Sequence, residues 1–341
     1  MKENNLNGKR NGKGKKYNYR INIIFEGEYL NGKRNDKGKE YYNNGRLKFE
    51  GDYLSGKKWN GKGYNKEGKI DFEIKEGIGK GKEYNNSGKL EFEGEFLNGE
   101  RNGKGKEFYK DGELKFEDKY LNGIRNGKGK EYYDGDIEFE GEYLNGIRNG
   151  KGKEYYHGDI EFEGEYLNGI RNGKGKEFNK DGELIFEGEY LNGIRNGKGK
   201  EYNNLGELEF EGEYLNGIRN GKGKEFNKDG ELKFEGEYLN GIRNGKGKEY
   251  NRCKLIFEGE YAYGIRNGKG KEYNNLCELE FEGVYLYDER WNGKGKEYYY
   301  DGKLKFEGEY LNGEMWNGKL KEYYDNGELK FERVYLNGKI K

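Results

Sequence analysis

Leu208-Glu-Phe210-Glu-Gly212-Glu-Tyr214 alternates over seven positions, and Asn216-Gly217-Ile218-Arg219-Asn220-Gly221 follows it. Period two is the signature of a strand. It puts Leu208, Phe210, Gly212 and Tyr214 on one face and three glutamates on the other. Asn-Gly pairs accept positive φ and form tight turns. Lys222-Gly223-Lys224-Glu225-Phe226 then reads as a short second strand, and Asp229-Gly230 as a second turn. The whole is strand, turn, strand, turn.

The same pattern recurs along the chain. The Phe that opens each copy stands at 25, 49, 72, 92, 116, 139, 162, 186, 210, 234, 257, 281, 306 and 331. Fixed self-similarity of this kind defines a repeat architecture. Residues 1–24 read as a partial N-terminal repeat, 25–330 as thirteen full repeats and 331–341 as a C-terminal half repeat. The expected fold is all-β: an elongated, twisted, antiparallel sheet of consecutive β-hairpins, solenoid-like and single-layered. One hairpin is marginal alone, and neighbours in series stabilise each other.

Pairing within a hairpin sets Glu211 and Glu213 across from Lys222 and Lys224, within one register step. Opposite charges across strands contribute roughly 0.2–1 kcal/mol per pair. Phe226 falls out of phase with Gly223, so a bulge near Lys224-Glu225 is expected.

Composition bounds the function. Of 341 residues 31% are hydrophobic and 38% charged, and Tyr (33) and Phe (18) carry most of the apolar bulk. Large aliphatic cores are therefore excluded. Lys+Arg and Asp+Glu balance at 65 each, so the chain as a whole exerts no pull on nucleic acid or membrane. Met1–Arg20 is polar with no signal-like apolar run, and no membrane span is evident. The expected location is cytoplasmic, with a membrane-peripheral variant.

Phe162-Glu-Gly164-Glu-Tyr166-Leu-Asn168-Gly169-Ile-Arg-Asn172-Gly173-Lys-Gly175 resembles the MORN repeat. The resemblance rests on aromatic, Gly, aromatic, Asn-Gly and Gly-x-Gly at matching places, recurring in phase. Leu167 stands where that family usually has a polar residue. Gly182-Glu-Leu184-Ile185 leads into the next Phe. Both features resemble the variant form found in bacterial proteins labelled as antitoxin components. The resemblance implies β-sheet arrays used as scaffolds, dimerisation arrays or membrane-proximal anchors, with any catalysis in a separate domain.

No residue set suggests chemistry. Gly197-Lys198-Gly199-Lys200 lacks the Ser/Thr and helix of a phosphate loop. Repeated Glu-x-Glu reads as a solvated strand face. His157 is the only histidine and sits in a turn. Cys253 and Cys277 replace turn glycines in adjacent repeats, roughly 9.5 Å apart at two strand spacings, beyond disulfide reach. The reading is a non-enzyme with no cofactor, no metal, no nucleic-acid partner and no small-molecule substrate. Its partner is a protein or a second copy of itself.

The alternative is peripheral binding to acidic phospholipid. In that reading Arg219, Lys222 and Lys224 form a basic turn edge, and Trp59, Trp291 and Trp316, with Met315 beside the last, act as anchors. The competing account of the tryptophans is a local lid over neighbouring aromatics. The 72–91 repeat, only 20 residues long, is either a kink, an insert or a degenerate copy.

Overall fold

A computed structural model describes the backbone of residues 4–6 and residues 9–341 in full. Among the described residues there are thirty strands, from Asn4–Leu6 to Lys339–Ile340, and no helix. The chain forms two compact bodies, Met1–Arg171 and Asn172–Lys341. Each is an antiparallel all-β array in which strands follow chain order, as the alternation requires, and neither is closed into a barrel.

The hairpin at 208–226 shows the repeat. Strands Leu208–Leu215 and Ile218–Phe226 are joined by the two-residue turn Asn216-Gly217, with φ of 51° and 85°. Both residues being left-handed makes it the turn that matches strand twist. The second Asn-Gly pair, expected to belong to the turn, does not. Asn220-Gly221 lies inside the second strand as a bulge, with Gly221 at φ 91°. The register accordingly jumps between Gly212↔Gly223 and Tyr214↔Arg219. A two-residue turn satisfies the hairpin, and the surplus residues loop out of the ladder.

The expected pairing of Glu211 with Lys224 is present. Glu213 instead faces Lys198 of the preceding strand, and its carboxylate accepts the Lys222 backbone N–H at 3.1 Å. The register shift expected near Lys224-Glu225 occurs between Glu225 and Phe226. The unpaired residue is Lys233 on the facing strand, so Phe226 is not returned to the aromatic face as expected; it lies across from Leu232 on the polar side.

The core is a row of rings. Phe210 is fully buried. It meets Tyr214 of its own hairpin edge-on at 5.8 Å and Tyr238 of the next at 5.1 Å. Such contacts add roughly 0.5–1.5 kcal/mol each. The glycines give these rings room. A Cβ on Gly212 would lie 2.6 Å from Phe210 Cζ and 2.7 Å from Gly223 Cα.

One ladder is interrupted within the first body. Strands Ile70–Ile74 and Gly79–Tyr84 are linked by the single bridge Lys75↔Ile78. The short repeat has lost its Gly-x-Tyr-Leu segment, and Ile74 is buried in place of the ring.

Candidate interaction surface

Arg219 stands directly across from Tyr214, which places it on the aromatic face. Its guanidinium carbon lies 4.1 Å above the Phe210 ring. Its Nε donates to Glu201 of the preceding repeat at 2.9 Å. Glu201 also holds Arg195 of its own repeat at 3.3 Å. In the same way Arg243 is held by Glu225 and by Glu249. Glu201 thus joins two arginines, as Glu249 joins Arg243 and Arg266, and these pairs roof the buried phenylalanines. Tyrosine hydroxyls brace them from below, as Tyr238 donates to Glu225 at 2.8 Å. Burial and that bond push the Tyr238 hydroxyl upward. Burial works to raise Glu225, but Arg243 and Tyr238 hold it below the usual carboxylate range.

Lys222 and Lys224 alternate with Gly223 and so occupy the opposite face. Lys224 bridges to Glu235 at 3.8 Å, and Lys222 faces Glu237 across the ladder. Arg219 and the two lysines are therefore not brought together on one edge. Tyr202 completes the polar face by donating to Glu187 at 2.8 Å, and burial with that bond pushes it up to about 12.

In the first body this face holds a groove of about 550 Å³ that includes Lys82, Glu93, Lys104, Lys106, Glu117 and Asp118. Five lysines and five carboxylates line it, so its charges cancel. No cluster of three or more His, Cys, Asp or Glu suited to a metal occurs among the described residues. His157 sits in its turn against Tyr156, and both cysteines are exposed.

The tryptophans lie in strands, half-buried, rather than in loops. Each carbonyl accepts from the glycine of the following turn: Trp59 from Gly77 at 2.7 Å, Trp291 from Gly313 and Trp316 from Gly338 at 2.9 Å. In regular repeats an arginine carbonyl does this, as Arg219 does for Gly241. The indole covers that turn, with Trp291 Cε3 3.5 Å from where a Gly313 Cβ would stand. Each tryptophan is one residue more than the regular repeat has before its second Asn-Gly, as Arg290-Trp291-Asn292 stands against Arg219-Asn220, and it slips the hairpin. Phe281 faces Gly295 and Gly283 faces Gly293, whereas Phe186 faces Glu201. An odd insertion would turn every later side chain to the wrong face. The bulge takes up the difference. Met315 stands across from Tyr310, where other repeats carry arginine.

The surface that the residue pattern did not flag is the Asn-Gly turn edge. Leu191↔Ile194, Leu215↔Ile218 and Leu239↔Ile242 flank successive turns. All six side chains are about half exposed, from 45% to 52%. Ile218 lies beside the next turn, its Cγ2 3.2 Å from where a Cβ on Gly241 would stand. The turns are fixed as well. Gly217 donates to the Arg195 carbonyl at 2.8 Å, and Asn216 to the Asn196 side chain at 3.2 Å. Tyr263 and Tyr287 extend the row at two later turns, strongly exposed and left-handed. Covering the open half of one Leu–Ile rung is worth roughly 1.5–3 kcal/mol. Leu at the position after the second aromatic was the one signal for this edge.

Fold and surface together define a β-hairpin repeat array with a periodic apolar border, the class of repeat proteins that act through extended surfaces. The MORN repeat model matches residues 6–18, 25–45, 92–113, 119–137, 139–158, 162–183, 186–204, 210–231, 234–251 and 257–275. These spans make up more than half of the chain, and it belongs to the MORN-repeat family. MORN repeats are generally non-enzymatic modules of protein or membrane interaction. The unmatched stretches contain all three tryptophans and the short repeat. No curated protein matches the chain. Among solved structures, it is similar to one described as "Crystal Structure of TcdB2-TccC3 without hypervariable C-terminal region", at 10% identity and a TM-score of 0.19 over 94% of this chain. The chain spans 20% of that chain's length.

Proposed function

We propose that this chain is a non-enzymatic scaffold that binds protein along its Asn-Gly turn edge. The observation that carries the reading is the exposed Leu–Ile row, repeated once per hairpin on turns already fixed by hydrogen bonds. A rigid apolar border loses little freedom on binding. Charge pairing favours protein over acidic phospholipid: Arg219 is held by Glu201 and Lys224 by Glu235. A lipid surface draws on uncompensated Lys and Arg.

A photo-crosslinking residue at position 216 of the whole chain tests this in cells. The expected result is protein adducts from 216, with far fewer from position 205 on the opposite edge. Lipid adducts, or none, from 216 would overturn it. Phosphatidylserine vesicles are expected not to retain the chain, and salt-sensitive retention would restore the membrane reading.

A further inference from the structure

We infer that the repeat opened by Phe116 carries a carboxylate seat on its polar face, and that the seat takes an acidic side chain of an extended peptide. The site is separate from the turn edge and does not depend on it.

The neighbouring repeats show what the seat holds. In the hairpins on either side, Glu95 accepts the backbone N–H of Lys104 and Glu142 that of Lys151, at 3.1 Å each. The same bond recurs at Lys198, Lys222, Lys246 and Lys269. Each of these lysines follows a left-handed glycine, and main-chain donors presented in this way suit an anion.

The Phe116 repeat keeps that backbone and changes the side chain. Gly127 has φ of 92° and Lys128 follows it. Lys119 stands where the flanking repeats have Glu95 and Glu142. Its stem lies over Gly127, with Cδ 3.4 Å from where a Cβ would stand. Among the described residues no side chain accepts the Lys128 N–H, and Lys104, Lys119 and Lys128 enter no ion pair. Lys104 and Lys119 face each other across the ladder, and Lys128 lies on the next strand. All three are exposed. Like charges opposite one another repel. Regular repeats avoid this by alternation, as Lys198 faces Glu213 and Lys222 faces Glu237.

A second substitution bears on the same place. Asp118 stands in the glycine position, across from Gly129. A Cβ at the matching Gly141 would lie 2.6 Å from Phe139 Cζ and 2.7 Å from Gly152 Cα. Asp118 takes φ of 124° and lines the polar-face groove, as Lys104 does. Its Oδ1 is buried without a hydrogen-bond partner, a cost that a donor removes when the carboxylate turns toward it. One ligand must therefore offer an acceptor to the lysines and a donor to Asp118. A peptide with an acidic side chain and backbone N–H groups offers both. The groove crosses from strand Gly79–Tyr84 to strand Ile124–Tyr133. Four strand spacings are about 19 Å, the length of about six extended residues. A phosphate-rich surface would bring its charges against Glu93, Glu117 and Asp118 as well as the lysines.

Fluorescence anisotropy of the full chain with a labelled peptide of alternating Glu and Thr, about eight residues long, tests the proposal. Saturable binding is expected, and none with Gln in place of Glu. Lys119→Glu supplies a carboxylate from within the chain. It is expected to weaken binding at least ~10-fold while the melting temperature holds or rises. Lys198→Gln, in a regular repeat, is expected to leave binding unchanged. No saturable binding by the wild type, equal affinity in Lys119→Glu, or equal loss in Lys198→Gln overturns the proposal. So does binding of a deoxythymidine oligonucleotide or of phosphatidylserine vesicles that Lys119→Glu abolishes, because phosphate would then be the occupant.

Discussion

Arg219 lies 4.1 Å above the ring of Phe210 and is held there by Glu201 of the preceding repeat. A charged residue from the turn-proximal end of one strand thus becomes the roof of the aromatic core. It also ties each hairpin to the one before. A cation over an aromatic face contributes roughly 0.5–2 kcal/mol, and the ion pair adds to that because both side chains are mostly covered. Coupling between neighbours of this kind sets the stability of a repeat array.

Removing one partner should therefore cost more than removing both. Arg219→Met is expected to destabilise by about 1–3 kcal/mol by leaving Glu201 with one arginine fewer. The conservative Arg219→Lys should recover only part, because Lys cannot make the planar stack and the paired bonds together. Urea midpoints of the two variants decide this. Equal midpoints for Arg219→Met and wild type would remove the roof from the account of stability.

Gly212→Ala tests the glycine row. The added methyl meets Phe210 Cζ and the backbone of Gly223 at distances that no Cβ accepts, so the ring or the ladder must shift. Overpacking of this order costs about 1–3 kcal/mol. Gly217→Ala tests the turn separately, since there the space is open but φ is 85°. It should cost about 1 kcal/mol from conformation alone. Amide exchange should show the first change loosening two neighbouring strands and the second only the turn.

Stability should fall in acid through Glu40. It is the one buried charged residue among those described, at 8% exposure. Burial works to raise its carboxyl, but Lys58, Arg34 and Lys48 outweigh that and hold it at about 2 instead of 4.5. A carboxylate depressed in the folded state stabilises above its unfolded value. That contribution, roughly 3 kcal/mol, disappears as pH drops from about 4.5 to 2. Glu40→Gln should flatten this limb of the pH profile, and a profile of unchanged slope would refute the assignment.

Deleting Trp291 should regularise its hairpin. Without it, Arg290 precedes Asn292-Gly293-Lys294-Gly295 with the spacing of every arginine repeat. Glu297 should move opposite Phe281, where Gly295 now stands, and should gain Arg290 as an ion-pair partner. Cross-strand contacts measured by NMR read the register directly. Persistence of the Phe281–Gly295 pairing would show that something other than residue count fixes it.

The sequence by itself determined the repeat, the hairpin, the faces of Phe210 and Glu211, the Lys224 pairing and a register shift close to Glu225. All of these follow from local periodicity and from charges close along the chain. It also carried the family through Asn-Gly and Gly-x-Gly at fixed offsets. It left open which of two Asn-Gly pairs makes the turn. That choice sets the parity of the second strand, and so whether Arg219 faces solvent or the core. Only the tertiary structure decided it, because the shorter turn lets Arg219 reach a glutamate in another repeat. The Leu–Ile edge and the strand positions of the tryptophans were hidden for the same reason. Exposure of an apolar side chain is settled by what neighbouring hairpins cover, and no pattern within one repeat contains that information.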